Sequence, residues 1–273
     1  MSKSILEIVD LDRYPIRDLD SPTGSEFLAQ CRATMRLHGY CSLDGFIRES
    51  ALAQMVSEVN AILPQSRKHT IRRNVYGSED DPGLPASHPI RRFQAHHPRQ
   101  LADDQIPSDS LIQRLYQNDV LTRFVAEVQE KAELYRYADE FQALNIVAID
   151  PGEWHAWHFD YNECTVTLLL QAPEAGGEFV FVPNIRSRDH ENYAAVQAFL
   201  DGDHSGMINL GRGAGTLTMF RGEYSIHGAT EVKGRLPRIS AILTYDEVPG
   251  RIAEDHINVQ IYGERVDRIL KAR

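Results

Sequence analysis

Cysteine, basic charge and long apolar runs are all scarce in this chain. Its three cysteines, Cys31, Cys41 and Cys164, are an odd number with no CxxC spacing. That argues against a disulfide framework or a structural zinc ribbon and predicts reduced thiols. No stretch approaches the roughly 18 consecutive apolar residues of a membrane-spanning helix. The opening residues turn acidic at Glu7 and Asp10 instead of entering an apolar signal core, so a soluble, cytoplasmic protein without a membrane partner is expected. With 29 Lys and Arg against 39 Asp and Glu, the formal charge is −10. No basic stripe is available to displace counterions from phosphates, and nucleic acid is not an expected partner. No internal repeat or low-complexity tract is visible, and a small-molecule enzyme fits this balance.

What is present divides the chain in two. At 273 residues and 42% hydrophobic content it can form one large domain, since β barrels often run beyond about 200 residues as a single unit. The reading is a single domain over 1–273: a helical part to about 140, a strand-rich core over about 141–248, and a C-terminal extension over 249–273. Ser21, Pro22 and Glu26 mark a helix start, followed by Phe27, Leu28, Cys31 and Met35 at helical spacing until Gly39. A second helix is expected over 49–63, ended by Pro64, and one or two more over 108–134. Residues 66–105, rich in Arg, His, Pro, Asp and Ser, read as a long surface excursion, either a lid or a structural wrap. From 141 onward short β-rich runs at 141–149, 154–159, 164–171, 178–182, 207–210, 216–221, 224–227 and 238–245 are separated by glycine and proline turns, with a helical insert near 190–200. About eight strands in roughly 110 residues predict a mainly β fold with flanking helices, a double-stranded jelly roll of the cupin type.

Within those strands lies a metal-binding pattern. His158 and Asp160 stand at i and i+2, so on a strand they share a face while Phe159 turns to the other. An HxD pair among 11 histidines is weak alone. His227, 69 residues after His158, ends a strand-turn-strand pattern that can return to the same barrel mouth. Two imidazoles and one carboxylate on one face of a metal form the facial triad of non-haem Fe(II) oxygenases, which leaves positions open for O2 and an organic chelate. Arg238 and Ser240 again share a strand face, and a guanidinium with a hydroxyl can grip the far carboxylate of a dicarboxylate such as 2-oxoglutarate. Arg235, on the turn beside Gly234, is the competing candidate. Cys164, close to the triad in sequence, sits like a strand position where a free thiol packs into a core. His96 and His97 are adjacent, diverge on a strand, and read as loop polar groups.

These residues resemble the Fe(II)/2-oxoglutarate-dependent oxygenases. The resemblance rests on His158, Asp160, His227, Arg238 and Ser240 and extends over most of the chain, from about Arg72 to Tyr262. The strings Asn74 to Pro82, Trp157 to Asp160, Thr167 to Pro173 and Asp189 to Tyr193 are similar to the group of hydroxylases and radical halogenases acting on free amino acids such as lysine. Halogenating members replace the metal carboxylate by a small residue that opens a site for chloride. Asp160 at that position implies the hydroxylase branch, with Fe(II), 2-oxoglutarate and O2 as cofactor and co-substrates. The resemblance also implies substrate contacts at Arg73 or Arg72, Glu140, His155, Thr244 and Tyr262, with Tyr161 beside the metal strand. His155, three residues before His158, would face away from it in a regular strand. Tyr161 stands where lysine-acting relatives carry an acidic residue, a departure that bears on lysine as the substrate. Two alternatives stay open: the same chemistry on a carrier-bound or peptidyl residue, or a cupin-type isomerase or metabolite binder, which leaves Arg238 and Ser240 without a task.

Overall fold

The computed structural model describes residues 5–68, 70–161 and 164–273. Its centre is an eight-stranded sheet. Tyr40–Leu43, Leu217–Arg221, Cys164–Gln171, Arg238–Asp246, Leu144–Ile149, Arg99–Leu101 and Arg67–Lys68 follow one another across it, and Tyr135–Arg136 pairs with the end of Arg238–Asp246. A four-stranded sheet of Ile208–Leu210, Phe179–Val182, Ile226–Ala229 and His155–His158 completes the jelly roll. All of these pairings are antiparallel.

The larger sheet obeys the period of two that strands impose. Along Arg238–Asp246, Ile239, Ala241, Leu243 and Tyr245 enter the main apolar core, while Arg238, Ser240, Ile242 and Thr244 line a cavity. Cys164–Gln171 repeats the pattern, sending Cys164, Val166, Leu168 and Leu170 into that core and Thr165 and Thr167 to the cavity side. The helices Pro22–His38, Glu49–Ile62, Leu111–Tyr116 and Asp119–Val128 cover the apolar face. Burying a leucine there contributes about 1.5–3 kcal/mol. Pro22–His38 begins where the sequence predicts: Ser21 Oγ accepts the Gly24 N–H at 3.0 Å, Pro22 occupies the first turn, and Gly39 ends it with φ 75°.

Two expectations change. Residues 66–105, read as a long surface excursion, contribute strands to the sheets. Arg67–Lys68 and Arg99–Leu101 extend the large sheet, while Ile71–Arg73 and Gln94–His96 pair beside the cavity, so the segment is both wrap and wall. Within it His96 is buried, stacked on His155 at 4.7 Å, and not a loop polar group. The C-terminal extension forms two helices, Asp255–Tyr262 and Glu264–Lys271, and the first contributes Ile257 and Ile261 to the cavity. Cys31, Cys41 and Cys164 are buried thiols outside any disulfide. Among the described residues no helix is long and apolar enough to cross a membrane.

Candidate metal centre

His158 and His227 are directly opposite one another on neighbouring antiparallel strands, which brings their rings to 4.1 Å between centroids. Asp160 lies just past the end of His155–His158, where the Phe159 N–H donates to Val75 O at 2.8 Å and the Asp160 N–H to Gly222 O at 3.1 Å. With the backbone so pinned, Asp160 Oδ1 stands 3.6 Å from His158 Nε2 and 3.4 Å from His227 Nε2. One ligand atom from each of the three residues lies within 4.8 Å of the others.

The second ring of contacts aims these atoms. His158 Nδ1 donates to Ala156 O and His227 Nδ1 to Ser225 O, both at 2.8 Å. A carbonyl only accepts, so each Nδ1 carries the proton and each Nε2 lone pair is left facing the other ligands. Thr165 Oγ1 donates to Asp160 Oδ2 at 2.5 Å, leaving Oδ1 for the imidazoles. Gly222 makes room for this arrangement: a Cβ there would overlap both Asp160 Oδ2 and Thr165 Oγ1. Burial, helped by His227, pushes the His158 imidazole down to about 4 against the opposing pull of Asp160. Burial alone would raise the Asp160 carboxyl, but the His227 and His158 imidazoles hold it well below the usual carboxylate range. A neutral imidazole and an ionised carboxylate are the forms that bind a divalent cation. This donor set therefore fits a metal with open positions on its far side.

A cavity of about 590 Å³ joins this cluster to a cationic end. Arg238 is buried, with Nε donating to Gly177 O at 2.9 Å and Nη1 to Ser240 Oγ at 2.6 Å. No carboxylate pairs with it among the described residues, and burial pulls its pKa down to about 10, so it remains a cation at neutral pH. Arg235, its competitor, is exposed and paired with Glu174. A second buried guanidinium, Arg212, lines the same cavity and escaped the sequence reading. Gly211-Arg212-Gly213 reads as turn punctuation, and no spacing signal marks its side chain as inward.

Of the residues implied as substrate contacts, four reach the cavity: Arg73, His155, Tyr161 and Thr244. Arg73 is largely buried, donates to Phe159 O at 3.2 Å and lies 5.6 Å from the Tyr161 ring centre. Burial holds its pKa below the ordinary arginine value, while Tyr161 and Asp160 pull the other way. His155 faces the cavity because the pairing slips by one residue between His227 and Ala229, a bulge that re-aims it. Its ring then lies tilted 4.7 Å from His158, and burial, with His158 and His96, keeps it neutral. The Thr244 hydroxyl donates to Gln142 O at 2.8 Å.

The other three do not reach it. Arg72 points outward over Phe93, since it alternates with Arg73 on Ile71–Arg73. Glu140 is exposed and paired with Arg273. Tyr262 packs into a small core with Phe141, Ala102 and Val266. Among the described residues, the acidic side chains that do line the cavity, besides Asp160, are Asp246 and Glu254. Asp246 continues the inward face of Ser240 and Thr244, a register signal the sequence contained.

Among curated proteins, none matches this sequence. Solved structures share the fold at low identity. An oxidoreductase of the 2OG-Fe(II) oxygenase family from Burkholderia pseudomallei aligns over 82% of this chain and 92% of its own, at 16% identity and TM-score 0.52. The epimerase SnoN of nogalamycin biosynthesis, called a non-heme alpha-ketoglutarate-dependent enzyme, aligns over 81% and 83%, at 16% identity and TM-score 0.57. HygX from Streptomyces hygroscopicus, solved with nickel, 2-oxoglutarate and hygromycin B, aligns over 79% and 86%, at 15% identity and TM-score 0.52. The sequence profile of the family described as HalD, Halogenase D, matches residues 23–250, and the chain therefore belongs to that family.

Proposed function

We propose that this protein is an Fe(II)/2-oxoglutarate-dependent hydroxylase of a small polar substrate, most simply a free amino acid. The observation that carries this reading is one cavity holding the His158, Asp160 and His227 cluster together with the buried, uncompensated Arg238 guanidinium. In this reading His158 Nε2, Asp160 Oδ1 and His227 Nε2 hold the iron, and Arg238 with Ser240 holds the far carboxylate of 2-oxoglutarate. Iron bound there would supply the dioxygen chemistry, driven by oxidative decarboxylation of the 2-oxo acid, that no side chain can perform.

The chain's own share is orientation and exclusion. Ala156 O, Ser225 O and Thr165 Oγ1 fix the three donors, so they need not reorganise when charge develops. Arg73 offers a substrate carboxylate a desolvated partner, and Asp246, which also faces Arg251 at 4.0 Å and accepts the Val248 N–H, offers an amine a cavity-lining carboxylate that the exposed Glu140 does not. Neutral His155 and the Thr244 hydroxyl supply polar contacts between them, with Tyr161 on the rim. The family name raises halogenation as a second reading. By resemblance, halogenating members lack the carboxylate that Asp160 supplies, so hydroxylation is the better supported of the two.

The test is to load the protein with Fe(II) without oxygen, then add 2-oxoglutarate, O2 and a panel of free amino acids. Succinate coupled to a product about 16 Da heavier, the mass of one oxygen atom, is the expected result. A chlorinated product in chloride buffer would instead establish the halogenase reading. No succinate from iron-loaded protein with any substrate would overturn both.

A further inference from the structure

We propose that Arg212 is a second anchor for the distal carboxylate of the 2-oxo acid, closing on it from the smaller sheet while Arg238 approaches from the larger one. This rests on the co-substrate reading above and adds a residue to it. Arg212 follows Ile208–Leu210 of the four-stranded sheet, and Arg238 opens Arg238–Asp246 of the eight-stranded one. Both side chains line the same cavity.

The polar contacts of Arg212 are incomplete in an informative way. Its Nη1 donates to Thr167 Oγ1 at 2.9 Å, and its guanidinium carbon lies 4.5 Å from the Phe179 ring centre. Its Nε is buried with no hydrogen-bond partner. No carboxylate pairs with Arg212 or Arg238 among the described residues, and burial together with Arg238 pulls the Arg212 pKa well down. Two buried cations that repel each other, one with an unmet donor, form a receptor for an anion and not a structural staple. A staple would have its Nε–H satisfied by the protein.

Position agrees with that role. The Phe179 ring links the two regions, with the Arg212 guanidinium carbon 4.5 Å from its centre and the His227 ring 5.8 Å away. The Nε and Nη2 edge of Arg212 and the Nη2 of Arg238 have no protein acceptor among the described residues, and a carboxylate offers two oxygens that can take both. Gly211 and Gly213, on either side, put no side chain between Arg212 and the cavity.

The experiment is an anaerobic calorimetric titration of the Fe(II)-loaded full chain with 2-oxoglutarate, and with 2-oxovalerate, which has a methyl in place of the distal carboxylate. Arg212→Met is expected to weaken 2-oxoglutarate binding by about tenfold or more, where each tenfold is about 1.4 kcal/mol. It should leave 2-oxovalerate binding unchanged, and Arg212→Lys should recover part of the loss. Thr167→Val, which removes only the hydroxyl that orients Arg212, should show a smaller loss of the same selectivity and serves if Arg212→Met folds poorly. The inference is overturned if Arg212→Met binds 2-oxoglutarate like the parent while Arg238→Met does not, or if it weakens both ligands equally. Failure of the parent protein to bind 2-oxoglutarate, or its undiminished binding by Arg238→Met, would instead remove the co-substrate reading itself.

Discussion

The two faces of the eight-stranded sheet come from the same strands and carry opposite chemistry. On one face Val166, Leu168, Met219, Ala241 and Leu243 lie fully buried under helices. On the other, Thr165, Thr167, Arg238 and Ser240 surround a cavity, where Ser240 accepts from Arg238, Thr167 accepts from Arg212 and Thr165 donates to Asp160. The difference teaches that alternate residues of a single strand can be assigned to separate tasks. The apolar face supplies cohesion, and the polar face costs stability while creating a place for charged ligands. Substitutions should therefore separate by parity along the strand, and the following experiments set the two faces against each other.

The largest effect is expected at the polar end of that division. Asp160→Ala should abolish succinate formation, exceeding the roughly 10–100-fold that loss of outer-shell partners alone produces at metal sites. Because the fold holds the Asp160 carboxyl well below the usual carboxylate range, its ionised form contributes to stability at neutral pH, and the metal-free variant should melt below the parent. Turnover retained by iron-bearing Asp160→Ala would remove it from the ligand set. On the apolar face, Leu168→Ala should cost about 2–5 kcal/mol in denaturant unfolding, with iron affinity of the folded protein unchanged. The comparison breaks if Leu168→Ala loosens iron binding without destabilising the chain.

Acid should reveal the cost of the polar face. His158 ordinarily titrates at 6.5 and in the fold is pushed down to about 4. The unfolded chain binds that proton at higher pH than the folded one, so stability falls as pH drops below 6.5 and levels off near 4. The contribution lost is of the order of 3 kcal/mol, and the depressed Asp160 carboxyl acts in the same direction at lower pH. Denaturant unfolding of metal-free protein across that range should show the decline, and His158→Gln should flatten it. An unchanged profile in His158→Gln would mean that the imidazole is not held neutral by burial.

Much of this division was legible before any coordinates. The i and i+2 rule placed His158 with Asp160 and Arg238 with Ser240, and glycine and proline turns marked most strands of the jelly roll. What the sequence hid depends on irregularity or on distance. His155 turns inward only because of a bulge that no residue pattern announces. Arg212 sits between glycines that suggest an exposed turn, and its burial comes from the packing of one sheet on the other. Glu140 and Asp246 are equally acidic in the sequence, but Glu140 falls in a solvent-facing turn while Asp246 ends a strand whose register faces it to the cavity. Within 66–105, Arg67–Lys68 and Arg99–Leu101 lack apolar alternation because they finish a sheet begun elsewhere and need little core of their own.

The finest test uses two neighbours. Arg72 and Arg73 are the same residue type on one short strand, yet Arg72 lies outward over the Phe93 ring at 4.7 Å while Arg73 turns into the cavity. Arg72→Ala removes an exposed contact of about 0.5–1 kcal/mol at most and should leave KM for the substrate found in the panel above unchanged. Arg73→Ala removes a guanidinium whose Nε is buried without a partner, so it should raise KM and leave stability level or improved. Steady-state kinetics beside thermal melts of both variants decide the matter. If Arg72→Ala raises KM as much as Arg73→Ala, the outward residue folds over the substrate when it binds, and strand parity no longer separates function from surface.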